Sequence, residues 1–245
     1  MIEIIADLHT HTIASTHAYS TVTENAAEAE RKNLKVMGLA DHGFKLTDAP
    51  HVYYFINLYR IPRKLGNVTI LRGVEANIDI NGNLDMDEYP KIFDRLDYAI
   101  ASMHASTMEM GHTKEEYTAA WLKVIKNPRV DILGHMGDPR YPFDIDTVIK
   151  EVAKAGKIVE INNSSPETRK GCEPICLEII ETCKKYGVHI TLSSDAHFWS
   201  MVGQFDWAMS IVEKTNYPKE LIVNSSVKNL EAYFNNREGK GKIDF

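Results

Sequence analysis

Asp7-Leu8-His9-Thr10-His11 follows the apolar run 3–6, and this junction of a strand with a histidine pair decides the reading of the fold. Side chains two apart on a strand point the same way, so His9 and His11 aim two imidazoles at one region. His17 comes six residues later. The same kind of junction recurs along the chain. Asp41-His42 closes the run 36–40, Arg72-Gly73-Val74-Glu75 ends the run 68–74, and Ser102-Met103-His104 ends the run 98–102. Gly134-His135 closes 132–134, Asn162 follows 158–161, and Asp195-Ala196-His197 follows 190–193.

Between these β-like runs lie amphipathic stretches at 23–32, 87–95, 114–126, 144–155 and 172–186, with an aromatic-rich stretch at 50–64 that also reads as helical. Thr23 and Asp144 are the expected N-caps, and Gly156 and Gly187 the expected C-terminal stops. Residues 204–235 read as one or two closing helices. Seven short strands alternating with helices predict an α/β fold with a parallel sheet. The polar residues choose between sheet and barrel. A closed barrel gathers seven strand ends around one mouth. An open sheet, at about 4.8 Å per strand, spreads them over roughly 30 Å. The expectation is a seven-stranded (β/α) barrel with a site at the C-terminal ends of its strands. No linker divides the chain, so 1–245 reads as one domain, with 236–245 as a polar, mobile tail.

Composition excludes several classes. At 245 residues, 44% hydrophobic and 25% charged, the chain has the makings of a large core of its own. Metals are therefore not needed to hold the fold together, which points any metal site toward catalysis. The net charge of −6 comes without a basic stripe, so no nucleic-acid partner is expected. No segment reads as a membrane span or a secretory leader. Cys172, Cys176 and Cys183 are odd in number and helically spaced, as reduced thiols of a cytoplasmic protein are. A homo-oligomer is compatible with all of this.

The candidate metal ligands are His9, His11, His17, His42, Glu75, His104, His135, Asp195 and His197. A nitrogen-rich set with a few carboxylates suits zinc, with manganese or iron as alternatives. At about four or five ligands per ion, nine residues over-supply one ion and fit two or three. Asp7 and Asp41 are placed to orient imidazoles from behind, or are simple strand-end carboxylates. His51, His112 and His189 read as ordinary hydrogen-bonded histidines.

These motifs resemble those of the PHP superfamily, named for polymerase and histidinol phosphatase, over essentially the whole chain. The segments Ala14-Ser15-Thr16-His17-Ala18-Tyr19-Ser20, Asp48-Ala49-Pro50-His51, Arg72-Gly73-Val74-Glu75-Ala76-Asn77 and Glu160-Ile161-Asn162-Asn163-Ser164-Ser165 are similar to its YcdX-like branch of small bacterial phosphatases. The resemblance implies a distorted seven-stranded barrel holding three divalent ions, usually zinc. It assigns His9, His11, Glu75 and Asp195 to one ion. Glu75 would bridge to a second, completed by His104 and His135, and His17, His42 and His197 would hold the third. Met136 stands where the branch often has proline. Ala105-Ser106 stands where some relatives have Glu-Pro.

Three divalent ions would more than offset Glu75 and Asp195, and the resulting cationic pocket suits a small phosphorylated substrate. The implied reaction is phosphomonoester hydrolysis by a metal-activated hydroxide, with Glu75 and Asp195 as the catalytic carboxylates. Asn162, Asn163, Arg72 and Arg169 are the expected substrate contacts. The alternatives are a phosphodiesterase or nuclease, a histidinol-phosphate phosphatase of the same superfamily, or a metal-binding regulatory protein without turnover.

Overall fold

A computed structural model describes residues 2–237 and 241–245. The strands are β1 (Ala6–Thr10), β2 (Val36–Leu39), β3 (Lys64–Leu65), β4 (Val68–Arg72), β5 (Glu75–Asn77), β6 (Ile100–Ser102), β7 (Ile132–Leu133), β8 (Ile158–Asn162) and β9 (His189–Ser193). The helices are α1 (Val22–Arg31), α2 (Val52–Asn57), α3 (Pro90–Phe93), α4 (Lys114–Ile125), α5 (Ile145–Ala155), α6 (Ser165–Thr168), α7 (Cys172–Tyr186), α8 (Asp206–Thr215) and α9 (Val227–Phe234).

Local chemistry sets several boundaries. Thr21, not Thr23, caps α1, because Thr21 and Glu24 complete a reciprocal capping box that Thr23 cannot form. Asp144 caps α5 by accepting from the Thr147 amide. Gly156 and Gly187 end α5 and α7 in the left-handed conformation, at φ 64° and 66°. The first strand starts later than the apolar run suggests, so Asp7, Leu8 and His9 lie within it.

The strands form two sheets, in the orders β1-β2-β4-β3 and β5-β6-β7-β8-β9. Every pairing is parallel except that of β3 with β4. The expected strand over 68–74 is β4, which ends at Arg72, and a further strand, β5, begins at Glu75 in the other sheet. The chain breaks at Gly73, where a Cβ would lie 2.4 Å from the Tyr98 ring. Only Gly permits that approach. Past it the chain stays alongside the first sheet, Gly73 and Glu75 donating to the Leu39 and Asp41 carbonyls, while Glu75–Asn77 pair with β6 in the second. Among the described residues, no ladder of named strands runs continuously around both sheets. Single parallel bridges join the sheets at both seams, His42 to Glu75 and Thr10 to Ala196.

Two buried clusters organise the packing. In the smaller, Leu8, Val36, Leu71, Ile100, Ile132 and Ile158 come together from six different strands. Leu230 and Phe234 of α9 close its far end. The larger cluster packs the outer strand faces against helices, for example Val159 and Ile190 with Val148, Val152 and Ile180. Of the expected mobile tail, residues 238–240 lie outside the described residues. The described part is tied down: Ile243 is buried and exchanges hydrogen bonds with the Asn235 side chain at 3.0 and 2.6 Å. No described helix is long and apolar enough to cross a membrane.

Candidate metal centre

The polar strand ends converge. His9 lies in β1, where a register irregularity between Asp7 and Thr10 locally turns the strand. His11 follows, anchored by its amide to the Ala196 carbonyl. His42 lies beyond β2, Glu75 opens β5, and His104 and His135 follow β6 and β7. Two of the converging residues hold left-handed backbone, His135 at φ 28° and Asp195 at φ 56°. Non-glycine residues adopt this region at an energetic cost, and such residues concentrate at functional sites.

Glu75 is the hub. One oxygen, Oε1, lies 2.9 Å from His135 Nε2 and 3.2 Å from His104 Nε2. The other, Oε2, lies 2.8 Å from His42 Nδ1, 3.3 Å from His9 Nε2 and 3.6 Å from His11 Nε2. Asp195 Oδ1 is 3.0 Å from His11 Nε2 and 3.6 Å from His9 Nε2. His17 and His42 face each other through Nε2 atoms 3.2 Å apart. Three groups of three have donor atoms close enough to share an ion: His9, His11 and Asp195; His42, Glu75 and His104; and His11, His42 and His197. The first falls within a set implied by the resemblance; the second has His42 where that implication has His135. The last has His11 where that implication has His17.

The donor set fits divalent cations. His9 Nε2, His11 Nδ1, His42 Nδ1 and Glu75 Oε2 are buried and lack a hydrogen-bond partner. His42 Nδ1 and Glu75 Oε2 are close, yet misaligned for a hydrogen bond; their lone pairs point at shared space. Buried orphaned polar atoms are costly, and a cation offsets that cost for all of them together. Four imidazoles are held from behind through Nδ1: His9 by Glu160 at 2.6 Å, His17 by Asp48 at 2.5 Å, His104 by Asn77 Oδ1 at 2.7 Å, and His197 by the Asp195 carbonyl at 2.9 Å. An Nδ1–H donated outward leaves the Nε2 lone pair facing inward, as metal-binding imidazoles require.

Charges in the site are strongly coupled. Burial alone would push His9 and His42 down, but Glu160, Glu75 and Asp195 hold His9 well above its ordinary value, and Glu75 holds His42 above its own. Burial alone would push the Glu75 carboxyl up, but the imidazoles of His9, His104 and His42 hold it well below the usual range. Burial acts the same way on Asp195, and His9, His11 and His197 likewise keep it well below. Burial drives His104 down to about 4 despite Glu75. Burial also pulls His11 well down, with His42 and His197 adding to the effect. Both carboxylates are thus ionised, and His11 and His104 are neutral, at neutral pH.

The site opens into a cavity of about 350 Å³. Its walls include His17, His42, Glu75, His104, Asp195 and His197, together with Ser164, Thr168, Arg169 and Met201. Of the four expected substrate contacts, Arg169 lies here, buried, with Nη2 3.7 Å from Asp195 Oδ2. The others do different work. Arg72 donates to the Ile61 carbonyl, outside the cavity wall. Asn162 donates to Glu160 and Asp195, fixing two carboxylates. The Asn163 side-chain oxygen accepts from the Trp207 and Ala208 amides, capping α8.

Asp7 and Asp41 orient loops, not imidazoles. Asp7 accepts from the Ser194 and Gly203 amides. Asp41 accepts from Thr12, Ser15 and Tyr54. Carboxylates that do face imidazoles, Glu160 and Asp48, were missed as site residues. Glu160 alternates with Asn162 on β8, and a charged residue in a buried strand was the available signal. His51 caps α2, His112 faces Glu116, and His189 packs on Tyr233.

The family model for the PHP domain matches residues 7–164. A protein named "probable phosphatase" from Caldanaerobacter subterraneus subsp. tengcongensis is 47% identical over 234 residues, covering 95% of this chain and 91% of that protein. Another of that name from Clostridium novyi is 46% identical, covering 98% and 96%. Among solved structures, the histidinol phosphate phosphatase of Lactococcus lactis, complexed with zinc, L-histidinol and phosphate, aligns with a TM-score of 0.61 at 18% identity, over 87% of this chain and 94% of that one. A chain of an archaeal ribonuclease P with mature tRNA aligns with a TM-score of 0.61 at 12% identity, over 94% and 91%. At these identities the two structures speak to fold alone.

Proposed function

The chain belongs to the PHP domain family, and from that premise we propose that it is a metal-dependent phosphatase that hydrolyses phosphate monoesters. The observation that carries the reading is Glu75, a buried carboxylate with the five imidazoles of His9, His11, His42, His104 and His135 turned toward its two oxygens. The relatives that span nearly all of this chain are named phosphatases, and the Lactococcus neighbour holds zinc and phosphate.

In this reading three divalent ions, zinc by ligand type, would be held by His9, His11, Asp195 and Glu75; by Glu75, His104 and His135; and by His17, His42 and His197. When bound, such ions supply positive charge against phosphoryl oxygens and lower the pKa of a water. Glu75 presents Oε1 to His104 and His135 and Oε2 to His9, His11 and His42, and would serve as a ligand on both sides. Glu160, Asp48 and Asn77 fix ring orientation, so little reorganisation accompanies substrate binding. Arg169 adds a fixed positive charge to the cavity wall for a non-bridging phosphate oxygen. Hydrolysis forms a bond from water oxygen to phosphorus, breaks the ester P–O bond, and returns a proton to the departing alkoxide. The two sheets, sharing the interior cluster of Leu8, Val36, Leu71, Ile100, Ile132 and Ile158, are read as one distorted seven-stranded barrel interrupted where the ligands enter.

The test is metal analysis of the purified protein coupled to phosphate release from p-nitrophenyl phosphate and its bis ester. Bound zinc with turnover of the monoester is expected. Preference for the bis ester would favour a phosphodiesterase, and full metal loading without turnover of a broad monoester panel would leave a regulatory protein.

A further inference from the structure

Half of the large apolar side chains that the described residues leave exposed flank the metal centre. Eight are exposed, and four of them are Ile13, Tyr19, Phe198 and Trp199. They lie on the two segments that carry His17 and His197. Backbone contacts hold these segments side by side. The Ile13 amide donates to the Ser20 carbonyl at 2.9 Å, and the Tyr19 amide to the His197 carbonyl at 2.8 Å. The Trp199 amide donates to the Ser20 hydroxyl at 2.7 Å. The Phe198 and Trp199 rings sit 5.5 Å apart.

The strip reaches inward through Met201, which lines the cavity with His197. The Ser164, Glu167, Thr168 and Arg169 wall is polar by contrast, with Arg169 as its cation. One side of the opening therefore suits a phosphoryl group, and the other suits an apolar group attached to it. Apolar side chains left in water in a contiguous patch mark binding surfaces. Continuity with the cavity through Met201 selects the occupant: a part of the substrate, not a separate macromolecule.

Resting on the phosphatase reading, we propose that Ile13, Tyr19, Phe198, Trp199 and Met201 form the leaving-group site, and that the preferred substrates are phosphomonoesters whose alcohol carries an apolar, preferably aromatic, group. An aromatic ring suits this strip because flat rings bury large area with few rotors and stack at an offset on Phe and Trp.

Ethyl phosphate and 3-phenylpropyl phosphate test this, because their alcohols have similar acidity and the P–O bonds similar intrinsic reactivity. With the metal-loaded full chain, kcat/KM for the phenylpropyl ester should exceed that for the ethyl ester about tenfold, as burial of part of one ring predicts. Phe198→Ala and Trp199→Ala should each bring that ratio toward one. Equal kcat/KM for both esters in the unaltered protein, or a ratio unchanged in both variants, overturns the proposal. No phosphate release from either ester instead removes the phosphatase reading, and the proposal with it. Sedimentation distinguishes the remaining occupant. An oligomer that dissociates in Trp199→Ala with the ratio intact makes the strip an interface between copies, which also overturns it.

Discussion

Glu160 Oε1 on β8 lies 2.6 Å from His9 Nδ1 on β1, with both side chains buried. Its second oxygen accepts from the His135 amide at 2.8 Å. One carboxylate thus orients an imidazole on one sheet and a strand end on the other. Burial alone would raise this carboxyl, but His9 holds it below its ordinary value, so it is ionised where it meets the ring.

Glu160→Gln keeps the size of the side chain and removes its charge. Gln offers one acceptor oxygen where Glu160 offers two, so either His9 Nδ1–H or the His135 amide loses its partner. Loss of such a partner typically weakens metal binding about 10- to 100-fold. Competition with a calibrated zinc chelator should show this loss, at near-normal far-UV circular dichroism. Unchanged zinc affinity would show that Glu160 serves packing alone.

Much of this site was legible before any coordinates, and the reason is physical. Histidines and carboxylates repeated at strand ends are a linear record of a three-dimensional convergence, and His9, Glu75, His135 and Asp195 do meet. What was not legible depends on long-range partners. Asn163 looks like a substrate contact in sequence because nothing local shows that its oxygen reaches amides 44 and 45 residues away. Arg72 is near Glu75 in sequence, but its guanidinium donates to the Ile61 carbonyl, 11 residues back. The Tyr98 ring that occupies the space beside Gly73 lies 25 residues on and is equally hidden from local reading.

Arg169 gives a second prediction. Its guanidinium is buried in the cavity wall near Asp195 and Asp138. Hydrogen bonds between charged groups contribute about 1.5–3 kcal/mol, so Arg169→Ala should lower kcat/KM by roughly 10- to 100-fold. Lysine supplies a point charge without the planar fork, and Arg169→Lys should recover part of the loss. The inhibition constant for inorganic phosphate should rise in the same order. An unchanged phosphate inhibition constant in Arg169→Ala would remove Arg169 from anion binding.

Metal removal should cost activity before it costs the fold. None of the nine candidate ligands belongs to either buried apolar cluster. Chelation should therefore abolish phosphate release while leaving far-UV circular dichroism intact. Stability should still fall. A site saturated at about 100 times its Kd contributes about 2.7 kcal/mol, which for a chain of this size lowers Tm by roughly 5–10 °C on release. Collapse of the helical signal on chelation would mean that the metals hold the fold itself.

Asn162 and Asn163 are neighbours with opposite expected phenotypes. Asn163 caps α8 from another element, supplying an acceptor that Phe205, at the helix start, lacks. Asn163→Ala should cost about 1–2 kcal/mol, as other lost N-caps do, with metal content and kcat unchanged below the unfolding transition. Asn162 donates to Asp195 Oδ2 at 3.1 Å and to Glu160 Oε2 at 3.2 Å. Asn162→Ala should free two carboxylates beside the metal centre and weaken metal binding. Urea unfolding and zinc titration of both variants separate the effects. A stability loss in Asn163→Ala accompanied by an equal loss of zinc affinity would contradict the division of labour that the hydrogen bonds describe.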